Sequence, residues 1–331
     1  LVSGGLMISW ILLDQIGAGA GVLAGFTMLT QQAPDKLHMI LNEGHPHYMS
    51  LPGLSVLLGG MWVMNLSYWG FNQYITQRAL GAKSIKEAQK GVMFAAYLKL
   101  LMPLVIVLPG ICAAILFPVL EKSDQAYPTM MSLLPNGLLG LTFAALIAAI
   151  VSSLASMTNS ISTIFTMDIY RSFSNNHITE SKLINIGRNA VVISLLTAVI
   201  VAKPLLGSFD SIFQYIQNFT GLFTPGILVI FLVALFWKKA TTLSTLVAAI
   251  SSLVLSIFIS YILPELPYIH RMGIVFFVSA FACYITTLLQ GYQDQAKAID
   301  LKGINFSTSR AFNINAVIIV GILALIYGIF A

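Results

Sequence analysis

The sequence predicts an all-α integral membrane protein, and three observations support this prediction. Only 9% of the 331 residues are charged, whereas a soluble domain contains about 25%. The mean hydropathy is +0.87. Apolar runs recur along the chain at the length of about 20 residues that a helix needs to cross the hydrocarbon core of a bilayer. These runs are continuous, unlike the short alternating segments of a β-barrel, so helices are expected.

Nine runs are long enough to be candidate transmembrane helices. They cover residues 4–28, 51–73, 91–117, 137–165, 184–202, 211–236, 242–263, 272–290 and 312–330. The first run is the least regular, because Asp14, Gln15 and a glycine-rich stretch from Gly17 to Gly21 interrupt it. Pro225 predicts a kink or break in the sixth run.

Charges between the runs predict the orientation. If every run crosses, one set of loops carries twelve basic residues: Arg78, Lys83, Lys86, Lys90, Arg171, Lys182, Arg188, Lys238, Lys239, Lys297, Lys302 and Arg310. The other set carries four: Lys36, Lys122, Lys203 and Arg271. Because cytoplasmic loops are rich in Lys and Arg, the first set is predicted to lie inside, in the plasma (inner) membrane. The net charge of +5 thus reflects topology and lipid surroundings, and gives no indication of nucleic-acid binding.

Polar residues inside the runs are the candidate functional residues, since a polar group in hydrocarbon usually faces a partner or a cavity. Lys99 can reach back to the inner surface, donate to a solute, or pair with a carboxylate. Asn65 and Tyr68 are three apart and share a helix face among aromatic rings. An amide and aromatic rings suit a sugar, although an interfacial aromatic belt explains the same pattern.

Two further runs carry polar groups. The fourth contains Ser152 and Ser153 among alanines, which fits either close helix packing or a sodium site built from hydroxyl and carbonyl oxygens. The sixth places Gln214 and Gln217 on one helix face ahead of Pro225. Broken helices are where transporters place their binding sites.

Four stretches together resemble the sodium/solute symporter family. They are NLSYWGFNQYITQRALGAKSIKEAQKG (65–91), VSSLASMTNSISTIFTMDIYR (151–171), FQYIQNFTGLFTPGIL (213–228) and FWKK (236–239). Within that family the similarity is greatest to the sodium/galactose and sodium/glucose branch. The resemblance runs from about residue 37 to the end of the chain, and residues 1–36 match poorly.

The resemblance implies a leucine-transporter-type fold of two inverted five-helix repeats. Residues 1–36 would hold the last helix of the first repeat and a loop, 51–236 the second repeat, and 242–331 additional helices. The family's earlier core helices and its Thr-Asp pair are not recognisable, so the chain is expected to be truncated at its N-terminus.

Site residues follow from the same resemblance. Asn65, Lys99 and Gln217 would form hydrogen bonds with the sugar. Tyr68 would stack on the sugar from the inner side, and Phe213 would belong to the outer gate. Ala149, Ser152 and Ser153 would form one wall of the sodium site.

The expected function is sodium-coupled symport of a hexose such as galactose or glucose by alternating access, with Na⁺ as the coupling ion and no organic cofactor. Other solutes in this family are amino acids, carboxylates and sialic acid. A membrane enzyme with Lys99 as base or nucleophile is disfavoured, because no His or Glu lies in the runs to assist it. A membrane solute sensor is the remaining alternative.

Overall fold

The computed structural model describes residues 2–174, 178–205 and 211–330, and this part of the chain is helical with connecting segments and one isolated β-bridge between Leu41 and Pro52. The helices are α1 Val2–Ile16, α2 Val22–Gln32, α3 Ser55–Gly59, α4 Met61–Leu66, α5 Gln73–Leu80, α6 Ile85–Leu100, α7 Leu108–Leu116, α8 Ala126–Met131, α9 Asn136–Thr163, α10 Arg171–Phe173, α11 Glu180–Leu205, α12 Ile212–Gly221, α13 Thr224–Phe236, α14 Thr242–Ile262, α15 Tyr268–Leu289 and α16 Arg310–Ile329. Three π-helical segments, Ser67–Phe71, Pro103–Val107 and Ile164–Tyr170, adjoin α4, α7 and α9.

Long apolar helices confirm the all-α membrane fold. Within the described residues, six helices are long and apolar enough to cross a membrane: Ile85–Leu116, Asn136–Phe173, Glu180–Ala202, Thr242–Ile262, Tyr268–Leu289 and Arg310–Ile329. A seventh crossing can be formed by α12 and α13, which are bent by 46° with respect to each other. The break immediately precedes Thr224 and Pro225, as Pro225 predicted. The count of nine spans is not confirmed.

The first predicted span, 4–28, is wrong as a single helix. The chain leaves the helical conformation after Ile16 and passes through Gly19 and Gly21, both at positive φ. The Asp14 carboxylate accepts a hydrogen bond from the Gly21 backbone N–H at 3.1 Å. Helix α2 then packs on α1 so closely that a Cβ at Gly25 would lie 1.7 Å from the Leu13 carbonyl oxygen. Residues 2–32 therefore form a helical hairpin, and Asp14 satisfies a backbone group in its turn.

The second predicted span, 51–73, is likewise not one continuous helix. It consists of α3, α4 and the π-helical segment Ser67–Phe71, and it ends at Asn72, whose ψ of 117° is extended. Gly60 separates α3 from α4 and lies against α15, where an added Cβ would be 2.0 Å from the Ile269 carbonyl oxygen. From the α15 side, a Cβ at Gly273 would be 1.2 Å from the Gly59 carbonyl oxygen.

The described residues fall into two compact units, one drawn from residues 1–37 and 95–212 and the other from 38–94 and 213–331. The first unit has a buried apolar core centred on Ile8, Leu12, Leu29, Cys112 and Met130. The second has a core of Val63, Leu228, Val229, Ala248, Phe276 and Cys283. In the second core the Trp62 ring meets the Phe276 ring edge-on at a centroid distance of 4.9 Å.

Side chains join two predicted inner loops within the second unit. Lys238 forms an ion pair with Asp300 at 2.9 Å, and its backbone carbonyl accepts a hydrogen bond from the Gln295 N–H. Lys239 lies 3.8 Å from the centroid of the Tyr292 ring. The Lys238 ammonium, which donates to the Asp300 carboxylate, lowers the pKa of that carboxyl group.

The close contact between α3 and α15 should make the protein sensitive to an added side chain at Gly273. Gly273→Ala forces the backbones of the two helices apart, because the new methyl group would overlap the Gly59 carbonyl. We expect a loss of about 1–3 kcal/mol in the free energy of unfolding, the usual cost of overpacking. Thermal unfolding in detergent measures it.

The matched control is Gly321→Ala in α16, where nothing lies within 4 Å of an added Cβ. Removing a helical glycine there should raise stability by about 0.5–1 kcal/mol. Equal melting temperatures for the two variants would contradict the packing of α3 on α15.

Candidate functional site

The predicted site residues are divided between the two units. Asn65, Tyr68, Phe213 and Gln217 belong to the unit of residues 38–94 and 213–331. Lys99, Ala149, Ser152 and Ser153 belong to the other unit.

Gln217 lies next to the helix of Asn65, although the two are far apart in sequence. Helix α12 carries Gln217, and its side-chain amide donates a weak hydrogen bond to the Met64 sulfur at 3.4 Å. Met64 directly precedes Asn65 on α4. The Asn65 amide nitrogen donates to the Met61 carbonyl at 2.9 Å. Two carboxamides predicted to meet the solute thus lie on contacting helices of one unit.

Tyr68 lies in the π-helical segment Ser67–Phe71, a geometry that often marks functional positions. Its hydroxyl shares a hydrogen bond of 2.5 Å with the Tyr74 hydroxyl. The Tyr68 ring also meets the rings of Trp69 and Tyr74 edge-on. The pair spans the helix break at Asn72, so the Tyr74 hydroxyl fixes the orientation of the Tyr68 ring. Tyr74 does not stand out in the sequence, although it lies inside the stretch 65–91 that carries the resemblance.

Phe213 and Gln214 occupy the first turn of α12. The Phe213 side chain is 70% exposed, so within its unit it has room to move, as a gate requires. The Gln214 amide nitrogen donates to the Ser50 hydroxyl at 2.5 Å. Gln214 and Gln217, predicted to share a helix face, therefore contact different segments of the 38–94 region.

Lys99 is the penultimate residue of α6. Because the helix begins at Ile85, Lys99 lies 14 residues into it, which is about 21 Å along the axis at 1.5 Å per residue. The π-helical segment Pro103–Val107 follows shortly after.

Ala149, Ser152 and Ser153 lie on one side of α9, because residues three and four apart share a helix face. The Ser152 and Ser153 side chains are exposed within their unit, and the Ser152 carbonyl accepts a hydrogen bond from the Ser156 hydroxyl at 3.1 Å. Hydroxyl and carbonyl oxygens are the ligands that hard cations prefer.

The part of the chain that the structure describes contains no cluster of three or more His, Cys, Asp or Glu residues that could hold a metal ion.

Comparison with known proteins decides the family. The model of the sodium:solute symporter family matches residues 1–288. The chain belongs to the sodium:solute symporter family. Members of this family are transporters, so the enzyme alternative with Lys99 as base or nucleophile is not supported.

Individual relatives agree with this assignment. A sodium/glucose cotransporter of Vibrio parahaemolyticus is 42% identical over all of this chain, which spans 64% of that protein. A human sodium/myo-inositol cotransporter 2 is 36% identical over 64% of the chain and 34% of its own length. The solved structure of a Na⁺-coupled sialic acid symporter has the same fold, with a TM-score of 0.68, 22% identity, and coverage of 87% of this chain and 60% of that one.

If Ser153 is a sodium ligand, its hydroxyl should affect the sodium dependence of uptake. We expect Ser153→Ala to raise the sodium concentration for half-maximal solute uptake about tenfold or more, because a group bonded to a charge is lost. Sodium titrations of uptake in proteoliposomes measure this.

Thr158→Val is the control on α9. The Thr158 hydroxyl bonds the Leu154 carbonyl of its own helix at 2.9 Å, and Thr158 lies on a different face from Ser153. If Thr158→Val shifted the sodium requirement as much as Ser153→Ala, the assignment of Ser153 would be rejected.

The Tyr68–Tyr74 pair predicts a shared effect on solute affinity. Tyr74→Phe and Tyr68→Phe each remove the same hydrogen bond, so each should raise the KM for solute by about twofold to tenfold. The double variant should be no worse than either single one. Multiplying effects in the double variant would show that the two hydroxyls act independently.

Proposed function

We propose that this chain forms part of a transporter that couples the entry of Na⁺ to the uptake of a neutral sugar, a hexose such as galactose or glucose. Membership of the sodium:solute symporter family is the observation that carries the proposal. The chain spans less than two thirds of the length of its relatives, so the activity is proposed for the whole protein to which these residues contribute.

Neutral, polar side chains support a neutral polyhydroxyl solute. The carboxamides of Asn65 and Gln217 can each donate to and accept from a hydroxyl group. Aromatic rings such as Tyr68 pack against the C–H face of a sugar ring. Relatives named for glucose and for myo-inositol favour the same solute class, since both molecules are rings that carry several hydroxyl groups. Lys99 is assigned to the solute as a further donor, and Phe213 to the outer gate.

Sodium supplies the driving force in this proposal. Moving one charge through the membrane potential releases about 2.3 kcal/mol per 100 mV, in addition to the concentration gradient. Ala149, Ser152 and Ser153 provide neutral oxygens for the ion on α9. Sodium coupling in the named relatives supports Na⁺ as the ion.

The orientation can be derived from the spans after the first two predicted ones. The six helices that are long and apolar enough and the bent pair α12–α13 can form seven successive crossings from Ile85 onward. Alternation over these seven places the basic segments around 78–90, 171–188, 238–239 and 297–310 on one side. We propose that this side is cytoplasmic, in the plasma (inner) membrane, because Lys and Arg accumulate there.

Alternating access requires that sodium and solute each favour the same conformations. A ligand shifts a conformational equilibrium only by its difference in affinity between the states, and the effect is reciprocal between two ligands. The break between α12 and α13 and the break at Asn72 are two points where helix segments can tilt separately. Gln217 and Tyr68 lie next to these breaks, so the bound solute can bias their geometry.

Sodium-dependent uptake in proteoliposomes tests the proposal. Proteoliposomes that contain the complete protein are given labelled galactose, glucose, myo-inositol or sialic acid on the outside. An inward gradient of Na⁺ or of K⁺ is imposed. We expect hexose uptake only with Na⁺. Asn65→Ala, Gln217→Ala and Lys99→Ala should each raise the solute KM by about tenfold, the cost of a lost hydrogen bond to a bound polar group.

Gln295→Ala is the control variant and should leave the KM unchanged, because among the described residues this side chain bonds only the nearby Gln293 carbonyl in the loop. Uptake of sialic acid in place of any hexose would reject the sugar and keep the symport. Hexose uptake that is equal in Na⁺ and K⁺ would reject sodium coupling.

A further inference from the structure

An apolar groove opens beside the starts of two membrane spans in the unit of residues 38–94 and 213–331. It has a volume of about 560 Å³ and lies between the end of α5, the first turns of α6 and the start of α16. Its lining includes Leu80, Ile85, Ala88, Val92 and Phe312. This volume lies within the range of about 300–1,000 Å³ that is typical of small-molecule sites.

Two walls of the groove are the first turns of candidate membrane spans. Helix α6 begins at Ile85 and α16 at Arg310, and both belong to helices that are long and apolar enough to cross a membrane. The Ser309 backbone N–H donates to the Gln89 side-chain oxygen at 3.3 Å and joins the two walls. The groove therefore lies at the N-terminal ends of two candidate spans.

Large apolar side chains at the groove are uncovered. Leu80 is 82% exposed and Ile85 is 71% exposed. Exposed apolar surface that is rimmed by polar groups usually marks a contact with a membrane or a partner. At the ends of two candidate membrane spans, the acyl chain of a lipid can cover it.

The rim of the groove is defined here by the basic residues that flank its lining in the sequence: Lys83 lies between Ala82 and Ser84, Lys86 follows Ile85, and Arg310 precedes Phe312 by two residues. Lys83, Lys86 and Arg310 are exposed, and none of them forms an ion pair with a described residue. The single acid between residues 71 and 92 is Glu87, which is already paired with Lys90 at 2.8 Å. The N-terminal ends of α6 and α16 add positive partial charge at the same place.

We propose that this groove binds an anionic phospholipid. One acyl chain lies along Leu80, Ala88, Val92 and Phe312, and the phosphate lies among Lys83, Lys86 and Arg310. An uncharged or zwitterionic lipid would leave the surplus positive charge unmatched, and a soluble anion would leave the apolar lining uncovered. The anionic lipids of a cytoplasmic leaflet offer both chemistries, which agrees with the proposed orientation of this side.

The test measures binding of a fluorescent-acyl phosphatidylglycerol to the purified protein in uncharged detergent. A phosphatidylcholine with the same labelled chain and unlabelled glycerol phosphate are measured beside it. We expect phosphatidylglycerol to bind at least tenfold more tightly than phosphatidylcholine, and glycerol phosphate not to compete. Lys83→Gln with Lys86→Gln should weaken binding about 25-fold, at about fivefold per basic residue near a lipid surface.

Two further variants separate the groove from general surface charge. Ala88→Phe fills the groove, leaves the rim charge intact and should weaken phosphatidylglycerol binding as well. Lys297→Gln with Lys302→Gln removes two basic residues of the 290–309 loop, outside the lining, and should have no effect. Equal affinity for the two lipids, competition by glycerol phosphate, or equal losses in the two double variants would each overturn the proposal.

Discussion

One constraint governs this molecule: a backbone N–H or C=O in hydrocarbon must find its hydrogen-bond partner within the protein. A helix can therefore break inside an apolar region only where other groups replace its lost bonds. Asp14 fulfils this role at the turn of the α1–α2 hairpin by accepting from the Gly21 N–H. At the second break, the Asn72 backbone carbonyl accepts hydrogen bonds from the N–H groups of Ile75 and Thr76, and α5 begins at the next residue.

The same constraint explains where the candidate site residues lie. A break leaves polar groups near each other, and it allows helix segments on its two sides to change their angle. Tyr68 and Tyr74 lie on opposite sides of the break at Asn72 and share a hydrogen bond across it. Gln217 lies four residues before the end of α12, where the chain bends by 46° into α13. We propose that the conformational change of transport is concentrated at these breaks.

The sequence predicted most of the long helices because hydrophobicity alone determines them. The predicted span 242–263 is observed as Thr242–Ile262, and 272–290 as Tyr268–Leu289. The first two predicted spans failed for a different reason. Their breaks depend on close contacts such as Gly60 against the Ile269 carbonyl and Gly25 against the Leu13 carbonyl, and neither contact leaves a trace in the hydropathy of the run.

The candidate site was predictable in its residue types and not in its contacts. Asn65, Tyr68 and Gln217 stood out as polar groups in apolar helices, which needs no structure to see. The contact of Gln217 with Met64 joins positions 153 residues apart, and no local pattern encodes such a pairing. Tyr74 looked like one aromatic residue among several, and only the geometry showed that its hydroxyl meets that of Tyr68.

In the proposed function, sodium and a neutral sugar bind to the same protein with coupled free energies. Equilibrium binding measures this coupling through the Kd for sugar at zero and saturating Na⁺, and the Kd for Na⁺ at zero and saturating sugar. We predict that each ligand tightens the binding of the other by the same factor, since linkage is reciprocal. A sugar Kd that is the same with and without Na⁺ would contradict the coupling.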